Sequence, residues 1–236
     1  MKLGIIGAMD VEVATLKECM NNKTEKVIAG SVYVEGILEG LSVVVVQCGV
    51  GKVNAALCVQ VLCDCFDVTH IVNTGVAGSL NAKLDIGDFV ISCEAIYHDF
   101  DCSVINPKYS VGQVPGMDVR AFPADETLTR LAYTAANEQC PGHAHIGIVA
   151  SGDQFVCNKE QKENIIKNTG ALCTEMEGAA ISHAAYRNGV PVVVIRAISD
   201  KADDSAQMDY PTFEAIAAKR CAEVVKTMAK TLSHIN

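Results

Sequence analysis

At 236 residues, half of them hydrophobic, the chain is long enough for one large α/β domain with a sizeable core, and no linker favours two. With 19 basic against 28 acidic residues and a formal charge of -9, it lacks the clustered Lys and Arg that nucleic acids or anionic membranes call for. No apolar run approaches the roughly 20 residues of a membrane helix, and Met1 leads into a strand rather than a secretory leader. The eleven cysteines are scattered and form no Cys-x-x-Cys, which fits buried, reduced thiols in a cytosolic protein better than a metal site or a disulfide framework.

In chain order, strands and helices alternate. A strand at 2–6 turns at Gly7-Ala-Met9 into a helix over 11–20, with Glu12 in its first turn, where the helix dipole favours a negative charge. Segments 27–29, 31–35 and 41–47 predict a meander with turns at Gly30 and Glu39-Gly40. Gly49-Val-Gly51 leads into a helix over 53–65, and a short strand at 70–73 is closed by the glycine-rich Thr74-Gly-Val-Ala-Gly78. A long strand at 88–97 precedes a proline-containing stretch, 98–123, of the length usually found in functional loops. Beyond it come a helix over 125–137 capped by Asp125, a strand at 144–150, a helix over 159–167 and a short strand at 171–174. A helix over 177–187 is stopped by Asn188-Gly189, a β-branched strand spans 192–195, and the last helix covers 211–232. This order predicts an α/β three-layer sandwich, a central mixed sheet flanked by helices, as one domain over 1–236.

Five strand ends couple small residues to a polar side chain: 8–12, 49–52, 74–78, 151–156 and 196–200. In open α/β sheets, chemistry gathers beyond the carboxyl ends of the strands, so Asp200 is a candidate working group. An aspartate there also serves as a cap for the next helix or as a partner of Arg196. Gly49-Val-Gly-Lys52 lacks the third glycine of a dinucleotide fingerprint and the full phosphate-loop pattern. Glu12, Glu177 and Asp200 come from three separate places, each near a helix start. On the residues alone, three N-terminal helix acids and a shared acidic site explain them about equally.

The set Gly4-Ile-Ile-Gly-Ala-Met9 with Glu12, Gly49-Val-Gly-Lys52, Asn73-Thr-Gly75, Ser151-Gly-Asp153, Glu175-Met-Glu177 and Arg196-Ala-Ile-Ser-Asp200 resembles the 5′-methylthioadenosine/S-adenosylhomocysteine nucleosidase family, within the nucleoside phosphorylase superfamily. The match runs through the whole chain in order. The resemblance implies a cytoplasmic N-glycosyl hydrolase of methionine salvage and methyl-cycle recycling that releases adenine from 5′-methylthioadenosine, S-adenosylhomocysteine and 5′-deoxyadenosine without metal or organic cofactor. It implies that Asp200 protonates the purine at N7, that Glu12 activates water, and that Glu177 with Met176 holds the ribose. Phe155 would stack on adenine, Val156 would read its edge through the backbone, Ser199 would orient Asp200, and Gly78 and Tyr210 would line the pocket. It further implies a homodimer in which lid residues near 102–115, with Cys102, Ile105 and Pro115 among them, reach the neighbouring chain's pocket.

Chemistry adds conditions to these roles. Asp200 can donate a proton near pH 7 only if its environment raises its pKa, or if it relays a proton from water, whereas Glu12 must stay ionised. Two departures from the family stand out: Val76 where relatives often carry Ser, and a loop at 99–115 about two residues longer by eye. The rivals are a phosphorylase, which calls for basic side chains in the glycine loops, a futalosine-type hydrolase with the same acids, and a non-catalytic nucleoside-binding protein. His98-Asp99-Phe-Asp101 resembles a metal loop but reads better as a polar hinge.

Overall fold

In the computed structural model, which describes residues 1–203 and 205–235, the alternation takes this form: β1 (Lys2–Gly7), α1 (Asp10–Cys19), β2 (Asn21–Ile28), β3 (Ser31–Leu38), β4 (Leu41–Gln47), α2 (Lys52–Phe66), β5 (His70–Ser79), β6 (Phe89–Tyr97), β7 (Phe122–Pro123), α3 (Glu126–Gln139), β8 (Ala144–Ser151), α4 (Lys159–Thr169), β9 (Cys173–Glu175), α5 (Gly178–Asn188), β10 (Val192–Asp200) and α6 (Ala206–Ile235). The punctuation is local chemistry. Both meander turns place two residues at positive φ, Ala29 (49°) with Gly30 (82°) and Glu39 (49°) with Gly40 (83°), the twist that tight hairpins require. Asp125 and Asn158 cap α3 and α4 by accepting the Leu128 and Gln161 N–H groups, and Gly170 and Gly189 end α4 and α5 in the left-handed region.

The sheet is mixed. β1 lies parallel between β4 and β5, and β4, β3 and β2 extend from it as an antiparallel wing. On the other side β5 pairs with both β9 and β10, β10 with β6, β6 with β8, and β8 with β9, so five strands close on themselves into a ring. Val43–Val46 and Val192–Ile195 are wholly buried, as continuous β-branched runs covered on both faces should be. One apolar layer joins α1, α3 and α6 to the sheet through Leu16, Leu128 and Val225; the opposite layer joins α2 and α5 through Cys58, Leu62 and Ile181. The expected three layers are present, and no helix among the described residues is long and apolar enough to cross a membrane.

Several bounds differ from expectation: β2 begins at Asn21 rather than 27, the two-residue β7 lies inside the expected loop 98–123, and β10 continues past 195 to Asp200. β5 runs straight through the glycine-rich stretch, because its neighbours β9 and β10 hydrogen-bond Gly75 to Ser79 as strand. α6 starts at Ala206 rather than Pro211: Ser205 bonds Asp203 and Asp209, and Ala206 N–H bonds the Asp203 carbonyl, so Pro211 falls inside a helix already begun. Of the cysteines, only Cys48, Cys58, Cys173 and Cys221 are buried, whereas Cys19, Cys65 and Cys93 are exposed.

Candidate active site

Glu12 folds back from the first turn of α1 onto the end of β1. Its Oε2 accepts the Ala8 and Met9 N–H groups at 2.7 and 3.0 Å, and its Oε1 accepts the Val76 N–H at 3.0 Å. The helix-start reading is therefore correct as far as it goes, but the same carboxylate also bridges to β5. That bridge needs Gly75, since a Cβ there would collide with both the Glu12 carboxylate and the Arg196 guanidinium.

Asp200 is aimed by an irregularity in the sheet. Ile198 pairs with Ala77 and Asp200 with Gly78, so Ser199 is an extra residue in β10, a bulge that turns the strand end. The Ser199 hydroxyl donates to Asp200 Oδ2 at 2.9 Å, and the Ala202 N–H donates to Oδ1 at 2.8 Å. Ala202 is buried at φ 50°, a left-handed conformation unfavourable for a residue with a Cβ, held by that aspartate turn. A Cβ at Gly78 would come within 2.7 Å of Asp200 Oδ1, so Gly78 is what lets the carboxylate lie against β5.

Arg196 does not pair with Asp200. Its side chain is buried and points at a different set of acids: it donates to Glu175 Oε2, lies 3.7 Å from Glu177 and 3.9 Å from Glu12, and bonds Asn73 Oδ1 at 2.6 Å. Asn73 is itself fixed by donating to the Ile6 carbonyl at 3.0 Å. Glu175 is the residue that sequence reasoning passed over. It accepts from the Ser151 hydroxyl, from the Glu177 N–H at 3.1 Å and from the Gly178 N–H at 2.8 Å, thereby building the start of α5 that presents Glu177. Glu177 in turn accepts the Gly51 N–H at 2.8 Å, tying the second glycine loop to the site. A lone arginine at the end of an apolar strand was the available signal, because a buried guanidinium has to find carboxylate partners.

The charges are unbalanced. Three carboxyl groups share one guanidinium, and burial raises each shifted group. Burial pushes Glu12 above the usual glutamate range, opposed by Arg196 and the three backbone N–H groups. Glu12 is therefore a stronger base than a surface glutamate, and the helix-start N–H groups and Arg196 are what favour its ionised form. Burial and then Glu175 lift Glu177 to about 7. Burial lowers Arg196, but Glu175, Glu12 and Glu177 more than reverse that, so it stays charged. Burial, with the Asp209 and Asp203 carboxylates behind it, raises Asp200 against its two hydrogen-bond donors, which is the condition an acid at that position must meet.

These groups meet at one cavity of about 190 Å³. The nine positions singled out from the sequence, Glu12, Gly78, Phe155, Val156, Met176, Glu177, Ser199, Asp200 and Tyr210, all line it. Phe155 is 46% exposed and forms its outer wall, its ring edge-on to Tyr210 with centroids 5.6 Å apart. Tyr210 donates to Glu214 at 3.0 Å. Glu12, Glu175, Glu177 and Asp200 all contribute to the lining, and no Lys, Arg or His among the described residues does. Lys52, the other cation of the glycine loops, bonds Asp99 at 2.6 Å and lies 3.7 Å from Asp153. Asp99 also accepts the Asp153 N–H, so the His98–Asp101 segment anchors the loop 98–123 to two neighbouring loops. Cys102, Ile105 and Pro115 do not reach the cavity of their own chain; Val104 and Ile105 are 95% and 82% exposed.

The chain is similar to known proteins over nearly its whole length. A family model described as the phosphorylase superfamily matches residues 2–230. A 5′-methylthioadenosine/S-adenosylhomocysteine nucleosidase of Geobacillus thermodenitrificans (strain NG80-2) is 41% identical over 229 residues, covering 97% of this chain and 96% of its own. A nucleosidase of the same name from Colwellia psychrerythraea 34H, solved in complex with adenine, superposes with a TM-score of 0.93 at 37% identity, covering 98% of this chain and 96% of that one. The futalosine hydrolase of Helicobacter pylori strain 26695 superposes with a TM-score of 0.92 at 33% identity, covering 98% of both chains.

Proposed function

Because the chain belongs to the phosphorylase superfamily and, within it, to the 5′-methylthioadenosine/S-adenosylhomocysteine nucleosidases, we propose that its cavity hydrolyses the N-glycosidic bond of those two nucleosides and of 5′-deoxyadenosine. Adenine is a poor leaving group as an anion. Asp200 delivers a proton to N7 as the bond from C1′ to N9 breaks, and adenine departs neutral. Glu12 orients a water molecule and takes its proton as the water oxygen bonds C1′. In between, the ribose carries positive charge, and the excess carboxylates around Arg196 are placed to stabilise it. Glu177 and the Met176 backbone hold the ribose hydroxyls, Phe155 and Tyr210 cover the base, and Ser199 and Gly78 fix Asp200.

One observation carries the choice of water over phosphate as the second substrate: the cavity is lined by four carboxyl side chains and by no cationic one among the described residues. A phosphate dianion would sit among like charges, with Arg196 and Lys52 both already paired. The test is adenine release from 5′-methylthioadenosine in phosphate-free buffer. Full turnover is expected, with no acceleration on adding phosphate; strict dependence on phosphate would assign the site to a phosphorylase. A panel varying only the 5′ group separates this reading from a futalosine-type hydrolase, since the fold is shared with one.

The pH profile follows from the two raised carboxyls. Glu12 must be ionised, so activity falls as the pH drops through its raised pKa; Asp200 must carry a proton, so activity falls again as the pH rises through its own. A bell-shaped kcat/KM is expected, with the acid limb above the ordinary glutamate range. A profile flat from the carboxylate range to neutrality would remove Glu12 as the base. The same proposal includes a cytoplasmic enzyme, one nucleosidase domain over 1–236, and a homodimer whose lid near 102–115 closes the neighbour's pocket; the exposed Val104 and Ile105 support an apolar contact there.

A further inference from the structure

Across three adjacent strands, Thr174 of β9 pairs with Gly78 of β5, and Gly78 pairs with Asp200 of β10. Directly opposed residues on neighbouring strands present their side chains to the same face, and all three positions line the cavity. The row therefore has a hydroxyl at one end, a carboxyl at the other, and a residue without a side chain between them. Two strand spacings, about 10 Å, separate its ends. That is a slot for a flat ring lying on the backbone of Gly78 with a polar contact at each edge.

Thr174 is 5% exposed, and its Oγ1 is buried with no hydrogen-bond partner among the described residues. A buried hydroxyl left unpaired is costly in a native structure, and the neighbouring polar groups of the site show the contrast. Glu175 and Ser151 are fully engaged with one another and with the start of α5, and Asp200 holds Ser199 and Ala202. Thr174 alone of this row has no protein group to satisfy it, and it faces the space the base would fill.

We infer that Thr174 is a base-specificity residue: its hydroxyl donates a hydrogen bond to the purine edge opposite the one facing Asp200, at N3. This rests on the nucleosidase reading of the site. With N7 at Asp200, the ring nitrogen on the far side of the glycosidic bond is N3, and Thr174 directly precedes the Glu175-Met176-Glu177 segment proposed to hold the ribose beside it. N3 is an acceptor, and a threonine hydroxyl can donate to it while its methyl group packs on the apolar wall.

A double-mutant cycle tests this contact. kcat/KM is measured for 5′-methylthioadenosine and its 3-deaza analogue with the unaltered enzyme, Thr174→Val and Thr174→Ser. Thr174→Val with the natural substrate is expected to lose about threefold to tenfold, the worth of one neutral hydrogen bond. The intrinsic penalty of the 3-deaza base cancels in the cycle, so its excess in the unaltered enzyme should disappear in Thr174→Val and persist in Thr174→Ser. The melting temperature of Thr174→Val should be unchanged or raised, because the substitution removes an unpaired buried hydroxyl while keeping the shape, which a merely structural threonine would not show. An equal 3-deaza penalty in the unaltered enzyme and Thr174→Val overturns the contact. If the unaltered enzyme releases no adenine from 5′-methylthioadenosine, the nucleosidase reading itself fails, a distinct outcome.

Discussion

Replacing Asp200 with Asn is expected to lower kcat by about 10³-fold or more while the protein still binds adenine. General acid catalysis contributes about 10²- to 10⁴-fold in enzymes, and a leaving group as poor as an unprotonated purine places this site at the upper end. The substitution is unusually clean here. Asn can still accept the Ala202 N–H on its oxygen, and its amide can face the Ser199 hydroxyl, which can turn to accept as readily as donate. What it cannot do at any ordinary pH is deliver a proton. Single-turnover rates, a melting curve and calorimetric titration with adenine measure the three consequences separately. A variant that folds, binds and turns over at near-normal rates would falsify the assignment of Asp200 as the acid. Glu12→Gln should be comparably slow but less clean. Both Glu12 oxygens accept backbone N–H groups, so one end of the new amide must confront a donor.

Why some of this could be read from the chain and some could not comes down to range. Val43–Val46 and Val192–Ile195 announce buried strands because β-branched, unbroken apolar runs have few other uses. Gly30, Gly40 and Gly189 mark their turns because few other residues tolerate positive φ there. Each is a local statement. That 70–79 is one continuous strand depends on β9 and β10 arriving from a hundred residues away, and local composition read its second half as a loop. The ring of five strands is likewise invisible until the pairings exist. The same holds within the site. Asp200 and Glu12 could be named as candidates because acids at strand ends are conspicuous, and Phe155 and Tyr210 were named only through the family resemblance; both line the cavity. The bulge at Ser199 that aims Asp200, and the guanidinium that Glu175, Glu177 and Glu12 share, are properties of contacts between distant segments. A partnership with Arg196, four residues earlier, was one of two alternative roles for Asp200, beside a cap on the next helix. In a strand those two side chains would share a face, but the bulge breaks that alternation and leaves Arg196 to the acids of β9 and α1.

Arg196→Met is expected to be the most damaging single change to stability, at about 3–5 kcal/mol, a large share of the roughly 5–15 kcal/mol that holds a typical domain folded. The arginine side chain is 1% exposed, and its removal strands Glu12, Glu175 and Glu177 in the interior without a cation. The sign of the pH dependence identifies the cause. Glu12 and Glu177 already have raised pKa values when folded, so their protonated forms are the ones the folded state prefers. The stability linked to such a group is fully present below its unfolded pKa and is lost as the pH rises through its folded pKa. Removing Arg196 raises both further. The gap in melting temperature between the unaltered protein and Arg196→Met should therefore be widest at neutral and alkaline pH and should narrow on acidification, as the stranded carboxyls take up protons. Lost packing alone would give a gap independent of pH. Arg196→Lys, which keeps the charge but not the fork of donors, should fall between the two at every pH. Catalysis should fail differently in the two variants. With methionine, Glu12 is driven further toward its neutral form, so the acid limb of the kcat/KM profile should move to higher pH; with lysine it should move less, and the remaining loss should be what its altered position costs.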